Sequence, residues 1–427
     1  MIRNDRLGEG RMAPWIGTAD PPETPDLRVE HRIDRHWRDA LRERDCKEQG
    51  GPSGGHDGAQ PGPGSEVTRE ASEHGHLLEL LPALASLLRA DAHARFVLAI
   101  GPGRDAILPA EPPRSDMNVS VVVPTRNAGV LLDELLATLA KQRFPGGSVE
   151  LVAADSGSTD GTREKLRKAG ARVIDVPDGT FDHGSTRDLA IANSRGDVAV
   201  LIVQDAIPGS TTWLEGLVRE FEIEEVAGTT CRRVARADAP ALTAMRLRES
   251  PHGSRERRVS KLPPGRPLEA LAPKQRFELC TFDHVCSAVR RSVWERIPFG
   301  PCPFAEDLSW SRKVIAAGHT ITYTPDVFVV HSRDRSILRE YRRTYLAHYA
   351  LSKLFGLRTV PTRRLAWSSL WSSGPLIRRA LAEEPSLLRG IRGALRAPVE
   401  RLATAIAQYQ GARDAAQGKA ARGFREI

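Results

Sequence analysis

Several things are scarce in this 427-residue chain, and each absence narrows what the protein can be. Aromatic residues make up only 5% of it. No stretch of about 20 apolar residues occurs, so no transmembrane helix is expected. The opening residues, MIRNDRLGEGRMAPW, hold no apolar run, so no signal peptide is expected either. Cysteines number five (Cys46, Cys231, Cys280, Cys286, Cys302), an odd count without a CxxC pair. That argues against a zinc site or a disulfide framework and fits a reducing cytoplasm. Internal repeats are absent.

What is present is an ordinary core composition, with 40% hydrophobic and 27% charged residues. Glycine (36) and proline (30) are abundant, which points to much loop alongside the core. The net charge is +8, but it is unevenly placed. From Arg333 onward there are 19 Lys and Arg against 7 Asp and Glu, so the rest of the chain is net acidic. Such a balance suits phosphate-bearing substrates, an anionic membrane surface or nucleic acid. No helix-turn-helix or aromatic-interleaved basic pattern supports nucleic acid, and none is expected as a partner.

Composition divides the chain into four parts. Residues 1–75, with EQGGPSGGHDGAQPGPGSE at 48–66, read as a disordered linker. Residues 76–115 read as a short helical segment of unknown role, with a helix at His76–Arg89 and a strand at Phe96–Ile100. Residues 116–335 carry an α/β pattern, and 336–427 form a basic helical extension, frayed over its last fifteen residues. In the third part VSVVV (Val119–Val123) is a continuous apolar run, the mark of a strand buried on both faces. Strands are also expected at Val149–Ala153, Ala171–Val176 and Val198–Val203. Helices are expected at Leu131–Arg143, at Thr159–Ala169 with Ser158 as N-cap, and at Ser185–Ser194. Alternating strands and helices imply βαβ units. Residues 228–276 read as basic and loop-like. Beyond them a helix at Leu308–Ala317 and short strands at Ile321–Tyr323 and Val327–Val330 are expected.

Polar clusters follow each of the first four strands: Pro124–Asn127, Asp155–Asp160, Phe181–Gly184 and Gln204–Ala206. Ligands of open α/β sheets bind at such strand ends, so one cleft is expected there. Asp205 suits a divalent cation that neutralises phosphate oxygens, or an N-cap before Pro208. Glu306 and Asp307 suit a helix cap or a general base. His331 suits a metal ligand or a buried structural histidine. Trp213, Trp294 and Trp310 are expected in the core or the cleft wall.

VSVVVPTRNAG, VAADSGSTDGT, FDHGSTRDLAI, VLIVQDA, SAVRRSVWERIPF and FAEDLSWSRKVIAAGHTITYTPDVFVVHS, in this order, resemble the family 2 glycosyltransferases. The similarity is greatest to their bacterial rhamnosyltransferase-like branch and spans 118 to about 350. It implies a GT-A fold, a mostly parallel sheet flanked by helices. It implies that Pro124, Thr125, Asn127 and Ser158 line a nucleoside pocket and that Asp155 hydrogen-bonds the base. His183 and Arg187 would lie near the diphosphate. Asp205 would be the last carboxylate of the DxD motif, holding Mg²⁺ or Mn²⁺ with His331, and Asp307 the catalytic base with Glu306 beside it. Three departures stand out: Val203 and Gln204 precede Asp205 in place of an acidic DxD start, Asp188 replaces the usual Asn, and QxxRW is missing, which favours single addition over polymerisation.

The implied activity is inverting transfer of a sugar, rhamnose first, from a nucleotide-sugar donor to a glycan or lipid-linked acceptor in cell-envelope or surface glycan assembly. A catalytically inactive nucleotide-sugar-binding scaffold is the alternative. A nucleotidyltransferase is disfavoured because PTRNAG lacks its glycine-rich pattern. The basic stretch 246–276 would lie on the acceptor side or be a solvated loop. The C-terminal helices, with Trp367 and Trp371 near Arg363 and Arg364, would cover the sheet or dock on the inner face of the plasma membrane.

Overall fold

The computed structural model describes residues 117–421, except 146 and 178. The linker expected over 1–75 and the helical segment expected over 76–115 lie outside the described residues.

The elements alternate as the apolar runs require. The first half contains β1 (Val119–Thr125), α1 (Leu131–Leu139), β2 (Val149–Asp155), α2 (Thr162–Lys168), β3 (Arg172–Asp175), α3 (His183–Ala192) and β4 (Val198–Ile202). Next come β5 (Ile207–Pro208), α4 (Trp213–Val218), β6 (Val226–Val234), α5 (Ala241–Arg248), β7 (Arg258–Ser260) and α6 (Pro273–Leu279). They lead to β8 (Cys286–Arg290), α7 (Arg291–Trp294), α8 (Glu306–Ala316) and β9 (Thr320–Val330). The chain closes with α9 (Ile337–Phe355), α10 (Arg363–Ser368), α11 (Gly374–Glu383) and α12 (Leu387–Ala416).

One sheet collects the strands in the order β3-β2-β1-β4-β8-β6-β9-β5, with β7 paired to β9. β3, β2, β1 and β4 are mutually parallel, so their carboxyl ends share one edge. The chain steps outward from β1 to β3, then returns to place β4 on the other side of β1. That reversal opens a crevice between the β1 and β4 ends, where α/β sheets take their ligands. Past β4 the sheet is mixed: β8 runs antiparallel to β4 and β6, while β6 and β9 are parallel.

Both sheet faces are buried, which is why β1 and β4 read as unbroken apolar runs. Val119, Val121, Val123, Val198, Val200 and Ile202 face Leu132 and Leu135 of α1 and Trp213 of α4. Val122, Ala199 and Leu201 face the other way, toward Ile191, Phe282, Trp310 and Phe355. Trp213, Trp294 and Trp310 are all buried, as expected. Because Leu351 and Phe355 of α9 join this second cluster, the start of the helical extension shares the core of the sheet.

Some local expectations are corrected. The helix expected from Thr159 starts at Thr162, with Gly161 at its N-cap in the left-handed region, and Ser158 serves elsewhere. The loop-like stretch holds β6, a nine-residue strand. Its buried Thr229 and Thr230 and its Arg232 and Arg233 hid the strand pattern. The two short strands expected at 321–330 are one, β9, whose register with β6 jumps between Thr324 and Phe328. Pro325 lies in the jump, lacks a ladder N–H and gives its carbonyl to Arg232. The last helix runs to Ala416 and so takes in residues expected to fray.

α9 and α12 lie side by side. Tyr341, Tyr345 and Tyr349, one helical turn apart, donate to Gln410, Asp414 and the Lys419 carbonyl. A Cβ on Gly411 would stand 2.2 Å from the Tyr345 carbonyl oxygen, so only glycine permits this approach. Gly411→Ala is expected to push the helices apart and lower stability by about 1–3 kcal/mol in chemical denaturation. An unchanged unfolding midpoint would contradict that packing.

Candidate active site

The loops after β1 and β2 form one stitched unit. Thr125 Oγ1 donates to Asp155 Oδ2 at 3.0 Å, and Ser158 donates to Asp155 through its N–H (2.9 Å) and its hydroxyl. The Asp155 side chain has no exposed surface. Its carboxylate therefore holds the turn, and the base-binding role implied by the resemblance would require this network to open. The N–H groups of Asn127, Ala128 and Gly129 donate in turn to Ser158, Thr162 and Asp160. Asn127 sits at φ 44° and accepts the Thr159 N–H at 2.9 Å. Across the crevice Gln204 accepts the Arg126 N–H at 2.8 Å and donates to its carbonyl. Pro124 is half-buried at the end of β1. One hydroxyl here, that of Ser156, is buried with no hydrogen-bond partner among the described residues.

The start of α3 clamps the loop that leads into α8. Asp182 caps α3 by accepting the Ser185 N–H, and the same oxygen accepts the Cys302 N–H, each at 2.8 Å. Gly184 approaches so closely that a Cβ would lie 2.1 Å from the Gly300 carbonyl oxygen. Asp188, where the resemblance implies Asn, accepts from Trp294 Nε1 (2.7 Å), the Phe299 N–H (3.1 Å) and the Gly300 N–H (2.8 Å). An amide could not accept all three without turning an NH₂ toward a donor. Arg187, expected near the diphosphate, pairs with Glu306 at 3.1 Å, both side chains being buried. His183, the first residue of α3, packs edge-on against Phe181, and burial pushes its imidazole below the ordinary value.

At the other side of the crevice the fold brings Asp205 and His331 together, 3.5 Å apart, because β5 pairs with the end of β9. Arg333 donates to the same Asp205 oxygen at 2.6 Å. Burial alone would raise the Asp205 pKa; hydrogen bonds from His331 and Arg333 outweigh it and hold the carboxyl well below the usual range. Burial also pushes the His331 imidazole below its ordinary value, against the pull of the Asp205 charge. Among the described residues no group of three or more His, Cys, Asp or Glu side chains is placed to hold a metal. Asp205 Oδ1, however, is buried without a partner. One carboxylate oxygen and one imidazole fit a divalent ion that takes its other ligands from phosphate and water, provided that Arg333 yields its place.

Asp307 has the opposite electrostatics. Burial, then the charges of Glu306 and Asp283, push its carboxyl up to about 8. Asp283 and its neighbour His284 are the functional candidates that sequence reasoning missed. Asp283 pairs with Arg233 at 3.0 Å. His284 is buried, bonded through Nδ1 to Ser287 at 2.8 Å, with Nε2 unpartnered among the described residues. They precede β8, which runs antiparallel to β4, so they lie at the same sheet edge as the four polar strand ends. FDHV before a strand was the only sequence signal.

The profile described as "Glycosyl transferase family 2" matches residues 120–297. The O-antigen chain rhamnosyltransferase RfbN of Salmonella typhimurium is 31% identical over 54% of this chain and 71% of its own length. The chain belongs to glycosyl transferase family 2. It is thus a glycosyltransferase, and its mixed sheet flanked by helices is the GT-A architecture of the family. The O-antigen chain rhamnosyltransferase WbaN of Salmonella anatum is 30% identical over 53% of this glycosyltransferase and 70% of its own length. A solved mannosyltransferase from Pyrobaculum calidifontis, in complex with GDP-Man and Mn²⁺, aligns with a TM-score of 0.46 at 18% identity, covering 73% of this chain and 90% of that one.

The raised Asp307 pKa has a cost in stability. In the unfolded chain an aspartate ionises near pH 4, whereas in the folded glycosyltransferase Asp307 holds its proton until about 8. Folding stability therefore falls as pH rises from about 4 to about 8 through this group. Asp307→Asn should melt at a higher temperature than the parent at pH 8, with the difference vanishing near pH 4. A variant less stable than the parent at pH 8 would contradict the raised pKa of this carboxyl.

Proposed function

We propose that this glycosyltransferase moves a sugar, rhamnose first, from a nucleoside-diphosphate donor to a hydroxyl acceptor with inversion, in cell-envelope or surface glycan assembly. The observation that carries the reading is Asp307, a carboxyl pushed up to about 8 at the start of α8. A base whose pKa lies near the working pH removes a hydroxyl proton most effectively. Asp307, once ionised, takes the acceptor proton as the acceptor oxygen attacks the anomeric carbon. The nucleoside diphosphate departs from the opposite face, and the configuration inverts. Glu306 is tied to Arg187, so it acts as a positioning residue and leaves Asp307 free as the base. Pro124, Thr125, Asn127 and Ser158 shape the nucleoside pocket, with Asp155 acting through the turn it holds. His183 and Arg187 flank the diphosphate side. Asp205 and His331 would hold Mg²⁺ or Mn²⁺, which supplies positive charge against the leaving diphosphate. The rhamnosyl assignment is supported by the names of the relatives at 31% and 30% identity.

A thermal-shift screen with UDP-, GDP- and dTDP-sugars, with and without Mg²⁺ or Mn²⁺, should pick out one nucleotide. Asp307→Asn should keep that shift and lose transfer by at least about a hundredfold, the usual worth of a general base. Asp205→Ala should lose the metal-dependent part of the shift. Wild-type turnover in Asp307→Asn, or full activity in excess chelator, would remove the base or the metal from the mechanism.

The reading extends to a peripheral site of action at the inner face of the plasma membrane. No helix among the described residues is long and apolar enough to cross a membrane. α12 nevertheless exposes Leu387, Leu388, Ile391, Leu395 and Val399 in helical spacing, and Trp371 is 88% exposed. Arg363, Arg364, Arg378 and Arg392 are exposed on the same group of helices. An apolar stripe with cationic neighbours suits an anionic bilayer surface. Vesicles containing phosphatidylglycerol should float the chain at low salt, and Leu395→Ser with Trp371→Ser should abolish flotation. Equal flotation of parent and variant would contradict this placement.

A further inference from the structure

Between the helical extension and the sheet lies a cavity of about 190 Å³. Six arginines line it: Arg233, Arg246, Arg333, Arg335, Arg343 and Arg396. Three carboxylates share the lining, and they are already engaged. Glu400 holds both Arg246 (2.5 Å) and Arg396 (3.1 Å), and Asp334 also holds Arg396. Glu340 stands 3.7 Å from Arg335. Arg233 and Arg333 take their partners, Asp283 and Asp205, from beyond the lining. Arg343 makes no ion pair among the described residues. The positive charge is in excess, and its effect is visible on Arg335, whose guanidinium is pushed down to about 10 by burial and by neighbouring Arg343. Arg396 also donates to the Arg335 carbonyl, so α12 fixes the backbone of this wall.

An anion with several oxygens offsets the mutual repulsion of crowded guanidinium groups, whose planar forks match phosphate geometry. We propose that this cavity is a subsite for a phosphate or diphosphate group, beside the crevice and completed by the C-terminal helix α12. The cavity shares His331 and Arg333 with the Asp205 cluster, so the bound group would adjoin the reacting centre. Two substrates can bring such a group: the nucleotide donor, or an acceptor that carries a phosphate. Which one supplies it rests on the donor reading given above; the binding itself does not.

Titration calorimetry of the full chain with inorganic pyrophosphate, without metal, tests the subsite. Saturable binding is expected. Arg343→Gln, at an exposed residue with no ion pair to lose, and Arg335→Gln should each weaken it by at least about tenfold, the worth of one charge-assisted hydrogen bond. No saturable heat, or equal affinity in folded variants, overturns the proposal. Repeating the titration with the nucleoside diphosphate chosen by the thermal-shift screen at saturation separates the sources. Pyrophosphate that still binds marks an acceptor-borne phosphate, and pyrophosphate that is excluded marks the donor. Should no nucleoside diphosphate bind, the donor reading fails, while the subsite is still judged by the two variants.

Discussion

Arg187 and Asp188 are adjacent in the chain, and between them they fix the loop that delivers Asp307, the proposed base. Arg187 pairs with Glu306, and Asp188 accepts from Trp294, Phe299 and Gly300. Asp182 and Gly184 add two further ties to Cys302 and Gly300. A polar segment at a strand end thus works mainly as a bed for residues more than a hundred positions later. Because both partners of the Arg187–Glu306 pair are buried, losing either one leaves an uncompensated charge, and the start of α8 cannot settle elsewhere cheaply. The position of Asp307 follows from this clamp.

The crevice contains two carboxylates with opposed electrostatics. Asp205 is held ionised by Arg333 and His331, whereas Asp307 is driven toward its protonated form by burial and by Glu306 and Asp283. Environments that push two carboxyl pKa values apart assign different tasks to them. The ionised group suits a cation or a cationic side chain, and the raised one suits proton transfer. The arginine-lined cavity, of opposite charge, adjoins the first of these groups and shares His331 and Arg333 with it.

Much of this was legible in the residues. β1 and β4 read as strands because both faces of the sheet are covered, and the polar residues after each strand marked the crevice before its topology was known. Asp205 and His331 could be paired only through the family resemblance, and β5–β9 pairing brings them together. β6 was not legible, since its buried threonines satisfy no apolar pattern. Asp283 and His284 were missed because nothing in a short loop before an ordinary strand signals that an antiparallel neighbour carries it to the crevice. The partners of polar side chains were also beyond reach: Asp155 and Arg187 each looked free to meet a ligand, and each holds a loop.

The central claim is that Asp307 is the base and that its surroundings raise its pKa. The pH profile of kcat/KM, measured with the donor that the chain binds, tests it most directly. The account predicts an ascending limb near pH 8, and a limb moved to lower pH in Glu306→Gln, which removes the nearest negative charge. A limb at ordinary carboxylate pH, or one that stays in place in Glu306→Gln, would contradict it.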